Sequence, residues 1–134
     1  MKPTLIIKYP TGEVWKEIPD PVKGVCQNGT AKGYHKNGVL KSIGTYVNGL
    51  PNGLFQQWDD QGRLLGQDKI EMGTGTVRSW HENGRIEVEM MLVDNIQDGK
   101  TTVWDQDGNV IMDDYYIKGK KVSKKKYLQE HNKG

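Results

Sequence analysis

The sequence has little of what a large buried core requires. It contains one Phe and one Cys, and residues of the set AVILMFWYC make up only 34% of the 134 residues. No run approaches the roughly 20 apolar residues of a helical membrane span. The single cysteine, Cys26, excludes an internal disulfide and favours a reducing compartment.

The sequence also lacks the pattern of an export signal and that of a basic binding groove. The apolar residues 5–7 are followed at once by Lys8, which is shorter than the 7–15 apolar residues of a secretory signal, so we expect a cytoplasmic protein. Residues 1–117 carry 16 acidic and 12 basic side chains, whereas residues 118–134 carry seven lysines and one acid. An acidic body argues against specific nucleic-acid binding. The lysine-rich end leaves contact with an anionic membrane surface open.

What the chain has instead is glycine, tryptophan and a repeat. Gly accounts for 17 residues, Tyr for six and Trp for four. The spacing Gly-x4-aromatic-x3-Gly-x-aliphatic occurs four times, with starts 24, 22 and 24 residues apart. The four copies are Gly29, Tyr34, Gly38, Leu40; Gly53, Trp58, Gly62, Leu64; Gly75, Trp80, Gly84, Ile86; and Gly99, Trp104, Gly108, Val110.

Each copy has the turn chemistry of a β-hairpin. Asn37-Gly38 and Asn83-Gly84 are strong hairpin signals, and a second turn residue follows eleven residues after each second glycine. No connection is long enough for a helical crossover, so all pairing should be antiparallel. The sequence therefore predicts an all-β fold, an elongated antiparallel meander of stacked hairpin repeats in a single sheet.

The predicted units form one repeat domain. They are a degenerate N-terminal capping unit at 1–28, hairpin repeats at 29–52, 53–74, 75–98 and 99–121, and a basic C-terminal helix or tail at 122–134. Ser123 has the character of a helix N-cap. We expect the short helix to cap the sheet, with Tyr127 and Leu128 packed on its far face.

Side-chain alternation assigns the faces of each hairpin. Residues two, four, six and eight positions after the second glycine should share one face of the sheet. We expect four structural aromatics on that same face, forming a ladder along the sheet: Tyr34, Trp58, Trp80 and Trp104. Spaced aromatics could also stack single-stranded nucleic acid, but such platforms carry interleaved basic residues that the acidic body lacks.

No constellation of side chains predicts chemistry. His35, Asp59, His81 and Asp105 occupy equivalent positions after the aromatics, but equivalent strands lie about 9–10 Å apart at ~4.8 Å per strand, too far for one metal ion. We interpret these residues as turn openers. The neighbouring carboxylates at 113–114 point to opposite faces, which excludes shared acid–base work. We expect no enzyme, no metal and no cofactor.

The repeat resembles a known family in its best-formed copies. Residues 34–41 (YHKNGVLK) and 80–86 (WHENGRI) are similar to the MORN-variant repeats of bacterial and phage proteins, the type found in YwqK-type antitoxins. Residues 115–123 (YYIKGKKVS) resemble the closing segment of small viral and bacterial repeat proteins of this sort. The likeness covers residues 29–121. It implies a MORN-like hairpin sheet and, as a partner, a toxin or a host-defence protein.

These observations favour a non-catalytic protein-binding module, possible roles being an antitoxin, an immunity protein or a phage-type inhibitor. The alternative is a membrane-peripheral module that binds anionic lipid through the lysine-rich end. Recognition requires residues that the repeats do not share. The predicted partner-binding residues are Phe55, Gln57, Leu65 and Arg78.

Overall fold

The computed structural model describes residues 3–131, and most of them are β-strand. The predicted all-β fold of antiparallel hairpins with a short C-terminal helix is confirmed. The elements are β1 (Leu5–Lys8), β2 (Val14–Ile18), β3 (Pro21–Val22), β4 (Val25–Cys26), β5 (Gly29–Tyr34), β6 (Leu40–Val47), β7 (Leu50–Trp58), β8 (Leu64–Ile70), β9 (Gly75–Trp80), β10 (Ile86–Val93), β11 (Ile96–Gln97), β12 (Gly99–Trp104), β13 (Val110–Ile117), β14 (Lys120–Val122) and α1 (Lys124–His131).

The hairpin repeats are β5–β6, β7–β8, β9–β10 and β12–β13, each closed by the predicted glycine turn. A second type of turn joins successive units, and both of its central residues have positive φ. These pairs are Asn48-Gly49, Met72-Gly73, Asp94-Asn95 and Lys118-Gly119. Two consecutive positive φ angles match the right-handed twist of the strands that the turn connects, so the sequence placed both turns of each unit correctly.

The predicted face assignment is wrong because every hairpin contains a bulge. Tyr34 lies opposite Leu40, but the preceding residue Gly33 lies opposite Ser42, and the same shift occurs in each of the other three repeats. Since Gly33 and Tyr34 point to opposite faces, Leu40 and Ser42 do too. The extra residue, Lys41 in this hairpin, reverses the alternation. Of the residues that were predicted to share the face of the aromatics, only the first aliphatic residue of the second strand therefore does so.

The predicted single sheet is also interrupted. Strands β1, β2, β5, β6, β7 and β8 form one sheet, and β9 to β14 form another. Between β8 and β9 the structure contains only an isolated bridge between Glu71 and Thr74. Ile70, which has no exposed surface, lies at this interruption with Gly75 against it. Backbone pairing along the sheet thus stops between the second and third repeats.

Helix α1 begins after Ser123, whose Oγ accepts a hydrogen bond from the Lys126 N–H at 3.1 Å, as its predicted N-cap role requires. The Tyr127 ring packs on Tyr115 with 5.1 Å between ring centroids, which confirms that contact. The predicted packing of Leu128 is wrong: this side chain is 45% exposed. Residues 1–2 of the predicted capping unit and 132–134 of the predicted tail lie outside the described residues.

The core is thin. Within residues 3–131, the only apolar side chains that are fully enclosed are Ile70 and Cys26, so most apolar side chains are half-covered by their neighbours along the sheet. Stability must therefore come mainly from the stacking of successive units, as in other repeat proteins. No helix in this part of the chain has the length and apolarity needed to cross a bilayer.

Candidate functional site

A short hairpin outside the repeat pattern covers one face of the first sheet. Strands β3 and β4 pair only with each other, through a turn in which Lys23 and Gly24 have positive φ. At the base of this hairpin the Gln27 N–H donates to the Asp20 carbonyl at 3.0 Å, and the Asn28 amide donates to the Asp20 carboxylate at 3.2 Å. The base is thereby fixed, while Val22 and Val25 on the hairpin remain exposed.

A cavity of about 360 Å³, the hairpin pocket, lies between this hairpin and the sheet. Residues with little or no side chain form its floor: Ala31, Gly33, Ser42 and Gly44. Tyr46 and Phe55 form part of its wall, with ring centroids 5.7 Å apart in an edge-to-face arrangement. A Cβ at Gly44 would lie 2.5 Å from the Phe55 ring. The position of Phe55 therefore depends on glycine on the neighbouring strand.

Cys26 lines the hairpin pocket but does not supply a nucleophile. Its side chain is buried, and Sγ lies 3.8 Å from the carbonyl oxygen of Gly29. Burial, with a smaller contribution from the charge of Asp20, raises the pKa of the thiol. A thiol with a raised pKa is a weak nucleophile. The lining of the pocket is mainly apolar, and Lys16, Lys32 and Ser42 are among its polar members.

The structure separates the four predicted partner-binding residues. Phe55 lines the hairpin pocket, whereas Gln57 and Arg78 lie where the second and third repeats meet. Leu65 is the bulge residue of β8 and is half-buried. Gln57 and Arg78, which the other repeats do not share, make contacts within the chain at this junction.

The junction between β8 and β9 is made by side chains in place of backbone pairing. Gln57 donates to the Trp80 carbonyl at 3.0 Å and accepts from the Trp80 N–H at 3.3 Å. The Asp68 carboxylate accepts from the Arg78 N–H at 2.8 Å and from its guanidinium at 2.7 Å. Gly66 leaves room for the Trp80 ring, which occupies the space of a Cβ there. Side chains thus satisfy backbone groups that a neighbouring strand would otherwise satisfy.

The structural aromatics share a contact that sequence reasoning missed. In each repeat the aromatic residue's carbonyl oxygen accepts a hydrogen bond from a side chain of the preceding unit. The pairs are Tyr9 with Tyr34 at 2.7 Å, His35 with Trp58 at 2.9 Å, Gln57 with Trp80 at 3.0 Å and His81 with Trp104 at 2.8 Å. Three of the four donors directly follow the last residue of a first strand, a spacing that the sequence already contains.

His35 and Asp59 occupy equivalent positions in their repeats but have different hydrogen-bond partners. The His35 ring reaches the next repeat, and Asn37 beside it donates to the Asp60 carbonyl at 2.9 Å. Asp59, being an acceptor, stays within its own turn, where it accepts from the backbone N–H groups of Gln61 and Arg63. The interpretation as turn openers is therefore correct for Asp59 and incomplete for His35.

The acidic residues are engaged in structural contacts. Asp113 and Asp114 pair with Lys100 and Lys121 at 3.6 and 3.3 Å respectively. Within residues 3–131 no group of three or more His, Cys, Asp and Glu side chains is placed to hold a metal ion. Besides the hairpin pocket, the described residues form a second pocket of about 300 Å³, which is lined by Val93, Asp94, Ile96, Asp98 and Lys118.

Comparison with known proteins addresses the repeats alone. A search of the curated proteins and a search of the solved structures found no match. Repeats of the MORN type are commonly non-catalytic and often serve as protein- or membrane-binding modules. The two repeats that share the His-x-Asn-Gly turn, at residues 27–48 and 74–94, match the family model of the MORN repeat variant.

Proposed function

We propose that this chain is a non-catalytic, cytoplasmic protein-binding module, and that the hairpin pocket receives an apolar side chain of its partner. The pocket carries the proposal because it combines a volume of about 360 Å³ with a floor of small residues and an aromatic wall. Pockets of roughly 300–1,000 Å³ with mainly apolar linings are the usual form of binding sites. Of the four predicted contact residues, Phe55 is the one we assign to the partner.

The surroundings of the pocket support a protein as the ligand. Val22 and Val25 project from the covering hairpin and are 40% and 49% exposed. Val25 also lines the pocket, together with Lys16 and Lys32. A rim with exposed apolar residues is typical of the centre of an interface, where a few anchor residues carry most of the binding energy. Gln57 and Arg78 lie outside this rim, and we expect their substitution to change folding stability first.

The test is affinity capture from native lysate, followed by measured affinities for the captured protein. Phe55→Ala should weaken binding at least about tenfold, which corresponds to about 1.4 kcal/mol. Leu54→Ala, on the opposite face of the same strand and exposed, is the matched control and should change affinity little. Because Phe55→Ala also loosens packing, Ala31→Leu, which fills the pocket, should weaken binding as well. Unchanged affinity in both pocket variants would remove the pocket from the proposal.

The narrower proposal is that the partner is a toxin or a host-defence protein, as in an antitoxin, an immunity protein or a phage-type inhibitor. The resemblance of the His-x-Asn-Gly repeats to antitoxin repeats supports it. A captured partner of this class should arrest growth when expressed alone, and co-expression of this chain should relieve the arrest. Relief that disappears in the Phe55→Ala variant would connect the two proposals.

A second candidate function, binding to an anionic membrane surface, is favoured by one observation. Six lysines near the C-terminus are exposed together: Lys118, Lys120, Lys121, Lys124, Lys125 and Lys126. Each basic residue near an anionic surface contributes about 1 kcal/mol. Sedimentation with vesicles that contain phosphatidylserine should then show binding that salt abolishes. Equal binding to neutral vesicles, or none at all, would eliminate this function.

A further inference from the structure

The last repeat ends with a partly unpaired strand. β13 pairs along its length with β12, but on its other side β14 covers only Tyr115, Tyr116 and Ile117. Among the described residues, no strand therefore lies beside residues 110–114 on that side. The side chains there are open to solvent: Val110 is 53% exposed, Ile111 64% and Met112 41%. The corresponding residues of β6 and β10, which do have a following strand, are all half-buried.

The fold itself specifies the register of a strand at this position. At three junctions, the residue four positions after the second glycine of one unit pairs with the residue four positions after the start of the next unit. These pairs are Lys16 with Gly33, Ser42 with Gln57, and Val88 with Val103. In the last repeat the same position is Met112, which follows Gly108 by four residues and has no partner on that side.

The array stops here because the next unit fails to open. The residue 24 positions after Gly99 is Ser123, which stands where the earlier units have glycine. Its hydroxyl caps α1, so the chain leaves the edge of the sheet after three residues of β14. The remaining edge of β13 keeps the form of a unit junction without the strand that would complete it.

The chemistry of this edge matches that of an occupied junction. On β10 an apolar residue and then an acid, Val88 and Glu89, face Val103 and Thr102 of β12. On β13 the same two positions are Met112 and Asp113. The Met91 carbonyl accepts a hydrogen bond from the Asp98 N–H and so points toward the following unit. Because backbone groups alternate along a strand, the backbone N–H and carbonyl of Glu89 point the same way. By equivalence of position, the backbone groups of Asp113 also point toward the side of a following unit.

We propose that the edge of β13 at residues 110–114 binds an extended segment of another protein by antiparallel strand addition. The segment carries an apolar residue opposite Met112 and, immediately before it, a hydroxyl-bearing or basic residue opposite Asp113. The pairing of Glu17 with Lys32 at another junction is the precedent for the basic residue. Strand addition supplies main-chain hydrogen bonds for affinity and alternate side chains for specificity. The inference rests on the proposed protein-binding function only for the class of partner, since this edge is separate from the hairpin pocket.

The probe is a synthetic peptide with the sequence of residues 101–105, TTVWD, which is long enough to span residues 110–114 and contains Thr102 and Val103, the two residues that already adopt this pairing beside β10. Added to the full ¹⁵N-labelled chain, it should shift the amide resonances of residues 110–114 and slow their hydrogen exchange. Asp113→Pro removes one outward N–H, which an edge position tolerates, and should lower peptide affinity at least tenfold. Met112→Lys, at an exposed site, is the second variant and should lower it similarly.

The controls separate this inference from the proposed function. Phe55→Ala should leave peptide binding unchanged, and a peptide with Val103→Pro should not bind. Shifts confined to other strands, or wild-type affinity in both variants, would overturn the inference while leaving the hairpin pocket untouched. Concentration-dependent self-association that Asp113→Pro abolishes would assign the edge to a second copy of this chain, and would overturn the proposed partner.

Discussion

Two junctions in this molecule join equivalent repeats in different ways. Between the first and second repeats, β6 and β7 pair through their backbones, and His35 adds a hydrogen bond to the Trp58 carbonyl. Between the second and third, β8 and β9 share almost no backbone pairing, and Gln57 and Asp68 make the contacts. The second unit is two residues shorter than the first, so both the chain length and the side chains differ between the two junctions.

The side chains of the two junctions differ at two positions, the residue after the first strand and the residue that faces the Trp80 ring. A hydrogen-bond donor follows the first strand where the sheet continues, as His35 and His81 do, whereas Asp59 follows it where the sheet breaks. Gly66 leaves a space on β8 that the Trp80 ring fills. An acceptor cannot bond to a carbonyl oxygen, so Asp59 folds back onto its own turn and leaves that role to Gln57. The backbone pairing is therefore interrupted where both the unit length and these side chains change.

The largest effect is expected from Asp68→Ala, which breaks the side-chain junction. The Asp68 side chain is 4% exposed and binds both the N–H and the guanidinium of Arg78. Its loss leaves a backbone donor unsatisfied and should lower the free energy of unfolding by about 2–3 kcal/mol. Urea denaturation measures this change. Asp68→Asn, which keeps an acceptor, is the matched control and should lose less; equal losses would mean that the charge alone matters.

The next effect is expected from Gly66→Ala. A Cβ at this position would lie 2.1 Å from the Trp80 ring, so the indole must move, at a cost of about 1–3 kcal/mol. Trp80→Leu combined with Gly66→Ala should lose less stability than the sum of the single variants, because the smaller side chain relieves the clash. Additive losses in this double-mutant cycle would contradict the described contact.

A smaller effect is expected from His35→Asp, which gives the first junction the residue of the second. Loss of the hydrogen bond to the Trp58 carbonyl should lower the free energy of unfolding by about 1 kcal/mol. Amide hydrogen exchange should also quicken along β6 and β7. His35→Gln, which keeps a donor, should retain most of both. If His35→Asp leaves exchange in β7 unchanged, the donor does not help the sheet to continue.

The smallest effect is expected from Asp59→Asn, which removes the charge of the acceptor in the second repeat. The backbone N–H of Arg63, followed by the Arg63 guanidinium and the N–H of Gln61, holds the pKa of Asp59 below its usual value. This contribution to stability is fully present above the unfolded pKa of about 3.9 and is lost as pH falls through the lower folded pKa. Thermal unfolding followed from neutral to acidic pH should show a shallower decline in Asp59→Asn than in the wild type. Parallel curves would contradict the role of this carboxylate.

The local structure could be predicted from the sequence because its determinants are local. Asn37-Gly38 and the other turn residues fix the hairpins by the φ angles that they allow. Ser123 marks the start of the helix because its side chain accepts a hydrogen bond from the backbone of a residue only three positions later. The resemblance to MORN-variant repeats was carried by short segments, and two of them, 34–41 and 80–86, lie within the residues that the family model matches. Such features depend on neighbouring residues and therefore appear in a spacing pattern.

The face assignment failed for an equally physical reason. One extra residue in the second strand, such as Lys41, reverses which side chains share a face. Alternation extrapolated from a glycine does not detect such a residue. The hairpin pocket was missed as well, because it needs residues of β3 and β4 to lie over Gly33 and Gly44, and nothing in the spacing indicates where an irregular hairpin folds.

The sequence by itself determined the four repeat hairpins and their antiparallel order, since turn residues act within about ten residues. The tertiary structure alone decided where the backbone pairing is interrupted, which face Phe55 lines and which edge stays open. Those outcomes depend on side chains such as Gln57 and Trp80, which lie 23 residues apart and meet only after neighbouring units have stacked.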